Sequence, residues 1–171
     1  MDIDLTAKLG SFDDFVAQYK PRSEKKLYEG KSLVFLAIAN ANSDARYRIA
    51  SFLLDKGGRI DGTSSDGSGI FHLLLERAGD DIPHAVELLA RLIDKGADAN
   101  LLDERGADAI VRLIPKRGSD EELAPLYDLW FSQRLTNLTT PDKTGYSPLE
   151  AARLLPFRAG LAQRMEDYLA R

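Results

Sequence analysis

Apolar positions along the chain fall into four blocks, each opened by a turn that contains glycine: Gly30-Lys-Ser-Leu-Val-Phe-Leu-Ala, Gly67-Ser-Gly-Ile-Phe-His-Leu-Leu, Gly106-Ala-Asp-Ala-Ile-Val-Arg-Leu and Gly145-Tyr-Ser-Pro-Leu-Glu-Ala-Ala. The opening glycines stand 37, 39 and 39 residues apart, and a recurrence of this length marks an array of supersecondary units. Each block is followed by a second amphipathic segment: Tyr47 to Lys56, Ala85 to Lys95, Leu123 to Arg134 and Leu161 to Leu169. In the second of these, Val86, Leu89, Leu92 and Ile93 recur at steps of three and four and so share one face of a helix. Lys56-Gly57 and Lys95-Gly96 supply a cation in the last helical turn and a glycine just beyond it, which suits the left-handed residue that ends a helix.

The pattern therefore predicts an all-α chain of nine or ten helices in antiparallel pairs. The polar stretches Asn40 to Arg46, Arg77 to His84 and Pro115 to Glu122 are expected as loops within the pairs. At the N-terminus Leu5, Leu9, Phe12, Phe15, Val16 and Tyr19 read as a degenerate opening pair that Pro21 closes, and Leu53, Leu89, Leu92, Ile93 and Leu149 are expected in the shared core.

Two segments carry a specific resemblance. Asp94-Lys-Gly-Ala-Asp-Ala-Asn100-Leu-Leu-Asp103-Glu-Arg-Gly106 resembles the hairpin joining two ankyrin repeats, and Asp142-Lys-Thr-Gly-Tyr-Ser-Pro-Leu-Glu-Ala-Ala152 resembles the start of one. In that pattern a Ser or Thr caps the first helix and Pro occupies its first turn, where a missing N–H costs nothing. Ser147-Pro148 fits, and Leu54-Asp-Lys-Gly-Gly-Arg-Ile-Asp61 is a weaker copy of the hairpin. Departures are the longer period, Asp108 in place of a capping hydroxyl, and Leu135-Thr-Asn-Leu-Thr139 where the hairpin sequence would stand. The resemblance implies one ankyrin-like helical repeat solenoid over 1–171, with capping helices at 1–26 and repeats at 27–62, 63–102, 103–141 and 142–171. A different α-solenoid or an irregular helical bundle is the competing architecture.

Composition narrows the chemistry. The 23 basic and 27 acidic residues give a formal charge of -4, so a nucleic-acid backbone meets no net attraction. With no cysteine there is no disulfide, thiolate ligand or thiol nucleophile. Met1-Asp-Ile-Asp-Leu has acids where a secretory signal carries a basic stretch, and the longest apolar run is Leu33 to Ala39, so neither export nor a membrane span is expected and the location read is the cytoplasm.

No catalytic, cofactor or metal constellation emerges. His72 and His84 lack the spacing of a zinc pair; His72 stands where the ankyrin resemblance implies a buried histidine that hydrogen-bonds neighbouring backbone. Gly30-Lys31-Ser32 imitates the end of a phosphate loop, but Lys25 takes the place of its earlier glycine. Asp66-Gly-Ser-Gly69 lacks the third glycine of a dinucleotide site. Asp80-Asp81 and Asp120-Glu121-Glu122 read as acids at helix N-termini. Asn137-Leu138-Thr139 matches a glycosylation sequon that an unexported chain does not use. Tyr127, Trp130 and Phe131 share helical spacing with Leu126 and Leu129 and read as core, one ring being free to reach the surface.

What remains is binding. The resemblance places partner contacts at each hairpin tip and the exposed end of each first helix. These are Tyr28, Glu29 and Lys31; Ser65, Asp66 and Ser68; Glu104 and Arg105; Lys143, Thr144 and Tyr146; with Glu76 and Arg77 along a helix. Stand-alone ankyrin-like chains of this size resemble small immunity proteins that neutralise toxins, or adaptors. The expected partner is another protein, with a basic toxin or effector face complementing the excess acid. The competing class is an enzyme or regulatory adaptor with its site in the long inter-helix loops.

Overall fold

A computed structural model describes all 171 residues. The fold is mostly helical, with nine α-helices and one two-stranded hairpin. It divides into two compact units, Met1–Thr63 and Ser64–Arg171.

The first unit contains α1 (Ile3–Leu9), α2 (Phe12–Gln18), the hairpin β1 (Leu27–Tyr28) and β2 (Lys31–Ser32), α3 (Leu33–Ile38) and α4 (Ser43–Asp55). All six residues of α3 are buried, so its unbroken apolar run is a helix enclosed on every side. It packs on α1 and α4, and α2 packs on α4. The opening pair is thinner than its pattern predicts. Phe15 is fully buried, whereas Leu5, Leu9 and Val16 are exposed. Phe12 and Tyr19 instead meet Phe52 edge-on, at centroid distances of 6.1 and 4.9 Å.

α4 begins four residues earlier than the apolar pattern suggests, because the Asn42 side chain accepts the Ala45 N–H and starts the helix there. The polar loop shrinks accordingly, and Arg46, expected within it, is buried. Its guanidinium donates to the carbonyls of Asn40 at 3.0 Å and Ala41 at 3.3 Å. α4 ends as read: Gly57 is left-handed, and Gly57 and Gly58 donate to the carbonyls of Leu54 and Leu53.

The second unit contains α5 (Ile70–Arg77), α6 (Ile82–Asp94), a 3-10 turn (Ala109–Leu113), α7 (Asp120–Trp130), α8 (Pro148–Arg153) and α9 (Ala159–Leu169). α5, the 3-10 turn and α8 pack in one row; α6, α7 and α9 pack in another. Starts are capped. Asp81 caps α6, and Ser119 with Glu122, and Ser147 with Glu150, form reciprocal capping boxes on α7 and α8. The loops before α6 and α7 are thus shorter than expected, because their acids already belong to helix N-termini.

Three expectations need correction. The third block forms a five-residue 3-10 turn rather than an α-helix. Asp108 caps the turn through the Ile110 N–H, at 3.1 Å, and Pro115 lacks the N–H that a continuing α-helix would use. α7 ends at Trp130, not Arg134, and Tyr127, Trp130 and Phe131 are all buried, so none reaches the surface. Leu53, Leu89, Leu92 and Leu149 are buried, but Ile93 lies at the edge of the α6 stripe and is half-buried.

Candidate binding face of the second unit

Three hairpins of the second unit close alike. Ser64, Asp103 and Asp142 donate to the carbonyls of Ser68, Ala107 and Tyr146 at 2.9, 3.0 and 3.1 Å. Gly67, Gly106 and Gly145 have φ of 78, 76 and 86°, the left-handed conformation that such turns reserve for glycine. Consecutive tips are joined through backbone: Glu104 N–H donates to Asp66 O at 2.9 Å, and Lys143 N–H to Arg105 O at 2.8 Å. Gly67 is also the point of closest approach, since a Cβ there would lie 2.9 Å from Glu104 N.

His72 supports the hairpin at 103–107. Gly69 N–H donates to its Nδ1 at 3.2 Å, so the proton sits on Nε2, which donates to Ala107 O at 2.9 Å. Burial holds the ring neutral by lowering its pKa.

Arg112, which sequence reasoning passed over, organises this face. From the 3-10 turn its guanidinium donates to Ser68 Oγ at 2.9 Å, Asp103 Oδ2 at 3.0 Å and Glu76 Oε2 at 3.0 Å, with Asp66 Oδ2 at 3.7 Å. Asp103 is itself fixed, since its Oδ1 accepts the N–H groups of Arg105 and Ala107. Beside this network lies a cleft of about 680 Å³ walled by Asp66, Glu76, Asp103, Glu104 and Asp142, with Ala107, Val111 and Pro115 as apolar lining. The cleft occurs at the third block, where a short 3-10 turn stands in the row of first helices.

Of the residues named as partner contacts, Asp66, Glu76, Glu104, Arg105 and Thr144 line this cleft. Ser65, Lys143 and Tyr146 are exposed and Arg77 is half-buried. Ser68 is 1% exposed and accepts from Arg112, so it is a support of the face and not a contact residue. In the first unit, Glu29 is exposed at a φ of 49°, with Tyr28 and Lys31 half-buried beside it on the hairpin.

Carbonyls of the inter-helix loop at 114–118 are held from within by Arg158. Arg158 is fully buried and donates to Ile114 O at 2.9 Å, Gly118 O at 3.0 Å and Lys116 O, with Asp120 Oδ1 at 3.4 Å. Asp120 in turn accepts the N–H groups of Gly160 and Leu161 at the start of α9 and the hydroxyl of Tyr127. The Arg158 contacts occupy the carbonyls of Ile114, Lys116 and Gly118.

Asp108 is the carboxyl most perturbed by its surroundings. Burial, with the nearby Asp103 adding to it, pushes its pKa up to about 6. The native state therefore holds this proton more tightly than the unfolded chain does, and its contribution to stability declines as pH rises from about 4 to about 6. Asp108→Asn keeps the acceptor for Ile110 and removes the buried charge. It is expected to be more stable than the parent at pH 7, by on the order of 1–2 kcal/mol, with the gain vanishing below about pH 4. Chemical denaturation at the two pH values checks this; an equal loss at both would refute it.

No family model and no curated protein matches the chain. Among solved structures, it is similar to a functionally unknown protein from Leptotrichia buccalis C-1013-b, with 28% sequence identity, a TM-score of 0.85, and coverage of 99% of this chain and 93% of that one. No helix of the chain is long and apolar enough to cross a membrane.

Proposed function

We propose that this chain is a divergent ankyrin-like repeat protein whose hairpin face binds and masks a partner protein, in the manner of an immunity protein neutralising a basic toxin or effector in the cytoplasm. The observation that carries the reading is the pair of backbone bonds joining three successive tips, Glu104 to Asp66 and Lys143 to Arg105. Donors and acceptors each recur at the repeat interval, and tips fixed this way present a pre-organised surface, which lowers the entropy lost on association. Exposed Tyr146, at 48%, stands at the end of this row and supplies the aromatic anchor typical of interfaces.

A catalytic reading in the loops has less to work with. The carboxyl with the raised pKa, Asp108, is 2% exposed and serves as a cap. The carbonyls of the 114–118 loop are directed to Arg158.

The test is affinity for the protein that co-purifies with this chain from its own cell. Tyr146→Ala together with Glu104→Ala is expected to weaken the complex at least about 100-fold, as loss of roughly 3 kcal/mol from central contacts implies, with an unchanged melting temperature. Equal changes at exposed Glu87 and Lys95 on the α6 side are expected to leave it intact. Sensitivity only to the α6 changes would move the site elsewhere.

A further inference from the structure

Resting on that reading, we infer that the cleft beside Arg112 receives a basic side chain, an arginine or lysine, presented by the partner. Two features of different kind meet there. The walls carry five carboxylates, Asp66, Glu76, Asp103, Glu104 and Asp142, against three cations, Arg105, Arg112 and Lys116. Arg112 is shared among Asp66, Glu76 and Asp103, so one guanidinium faces three carboxylates and two negative charges stay uncompensated. The lining also includes the apolar surfaces of Val111, Ala107 and Pro115. An apolar lining under an acidic wall matches the two parts of a long basic side chain, an aliphatic stem with a cationic head. A purely acidic peptide would be repelled, and an apolar side chain would strand the carboxylates without a counter-ion.

The carboxylates are also available for it. Glu76 and Asp66 have side chains 49% and 58% exposed while they hold Arg112. Glu104 is exposed at the tip whose backbone is pinned to Asp66. A second cation would thus extend an alternating network already built around the first, with no rearrangement of Arg112.

The probe is a tetra-arginine peptide, titrated into the isotopically labelled full chain at low salt and followed by NMR, with the neutral tetra-citrulline peptide of the same shape beside it. Saturable shifts are expected at the amides of 104–107, 111–112 and 142–144 for the arginine peptide alone. Glu76→Gln with Glu104→Gln should weaken its binding at least about tenfold, while Asp13→Asn with Glu87→Gln, exposed acids elsewhere, should not. Shifts spread over the whole acidic surface, equal weakening by both pairs of changes, or equal binding of citrulline would overturn the inference. A co-purified partner that needs Tyr146 but is not displaced by the peptide would sink this inference and spare the hairpin-face reading. Peptide binding in the cleft with a partner indifferent to Tyr146 would do the reverse.

Discussion

Replacing Arg158 by Leu is expected to cost about 3–5 kcal/mol of stability, the range for stripping one partner from a buried polar network. The side chain has no exposure, and its donors satisfy the carbonyls of Ile114, Gly118 and Lys116. Leucine leaves those carbonyls without their donor, and the loss is greatest at Ile114, whose bond is buried; an unsatisfied buried acceptor costs on the order of 1–3 kcal/mol. Asp120 loses its counter-ion while still engaged by α9 and by the Tyr127 hydroxyl. For a chain of this size the melting temperature should fall by about 10 °C or more. Arg158→Lys should recover only part of the loss, since one ammonium cannot span several divergent carbonyls. A Leu variant that melts within two or three degrees of the parent would show that water reaches this network.

Trp130→Ala is expected to be comparably severe, about 3–5 kcal/mol. The indole is the largest fully buried side chain and meets Phe71 edge-on at a centroid distance of 5.4 Å. That contact ties α7 to α5, so the cavity would open between the two rows of helices in the second unit. Its Nε1 has no hydrogen-bond partner. Trp130→Phe therefore removes an unsatisfied donor along with some volume and should cost clearly less than the alanine change. Denaturant midpoints of the three proteins check the order; a phenylalanine variant as unstable as the alanine one would mean that the indole N–H contributes to stability.

The parts of this fold that were legible in the sequence are the ones determined locally. Gly67, Gly106 and Gly145 announce their turns because few other residues tolerate that backbone, and Gly57 and Gly96 announce the helix ends for the same reason. The resemblance implied a buried His72 bonded to neighbouring backbone, and the ring is buried with Nε2 2.9 Å from Ala107 O. What escaped depends on distant partners. Arg112 reaches Ser68 across 44 positions and Arg158 reaches Ile114 across 44, and nothing in the neighbouring residues distinguishes either from a solvated surface arginine. Ser68, read as a surface residue of its turn, is buried and accepts from this same Arg112. Leu5, Leu9 and Val16 mimic a core stripe, yet α1 and α2 are seven-residue helices that bury little. The third block is a 3-10 turn followed by Pro115, a residue visible in the sequence, whereas the cleft lined by Val111, Arg112 and Pro115 required the structure.

The most direct measurement is hydrogen–deuterium exchange of the chain alone and with the partner protein that the proposed function calls for, captured by co-purification. Protection on binding is expected at the tips 64–68, 103–107 and 142–146, and at Val111 and Arg112 beside the cleft, with α6, α7 and α9 unchanged. Protection confined to those three helices, or to the loops at 39–42 and 114–118, would contradict the hairpin face as the binding surface.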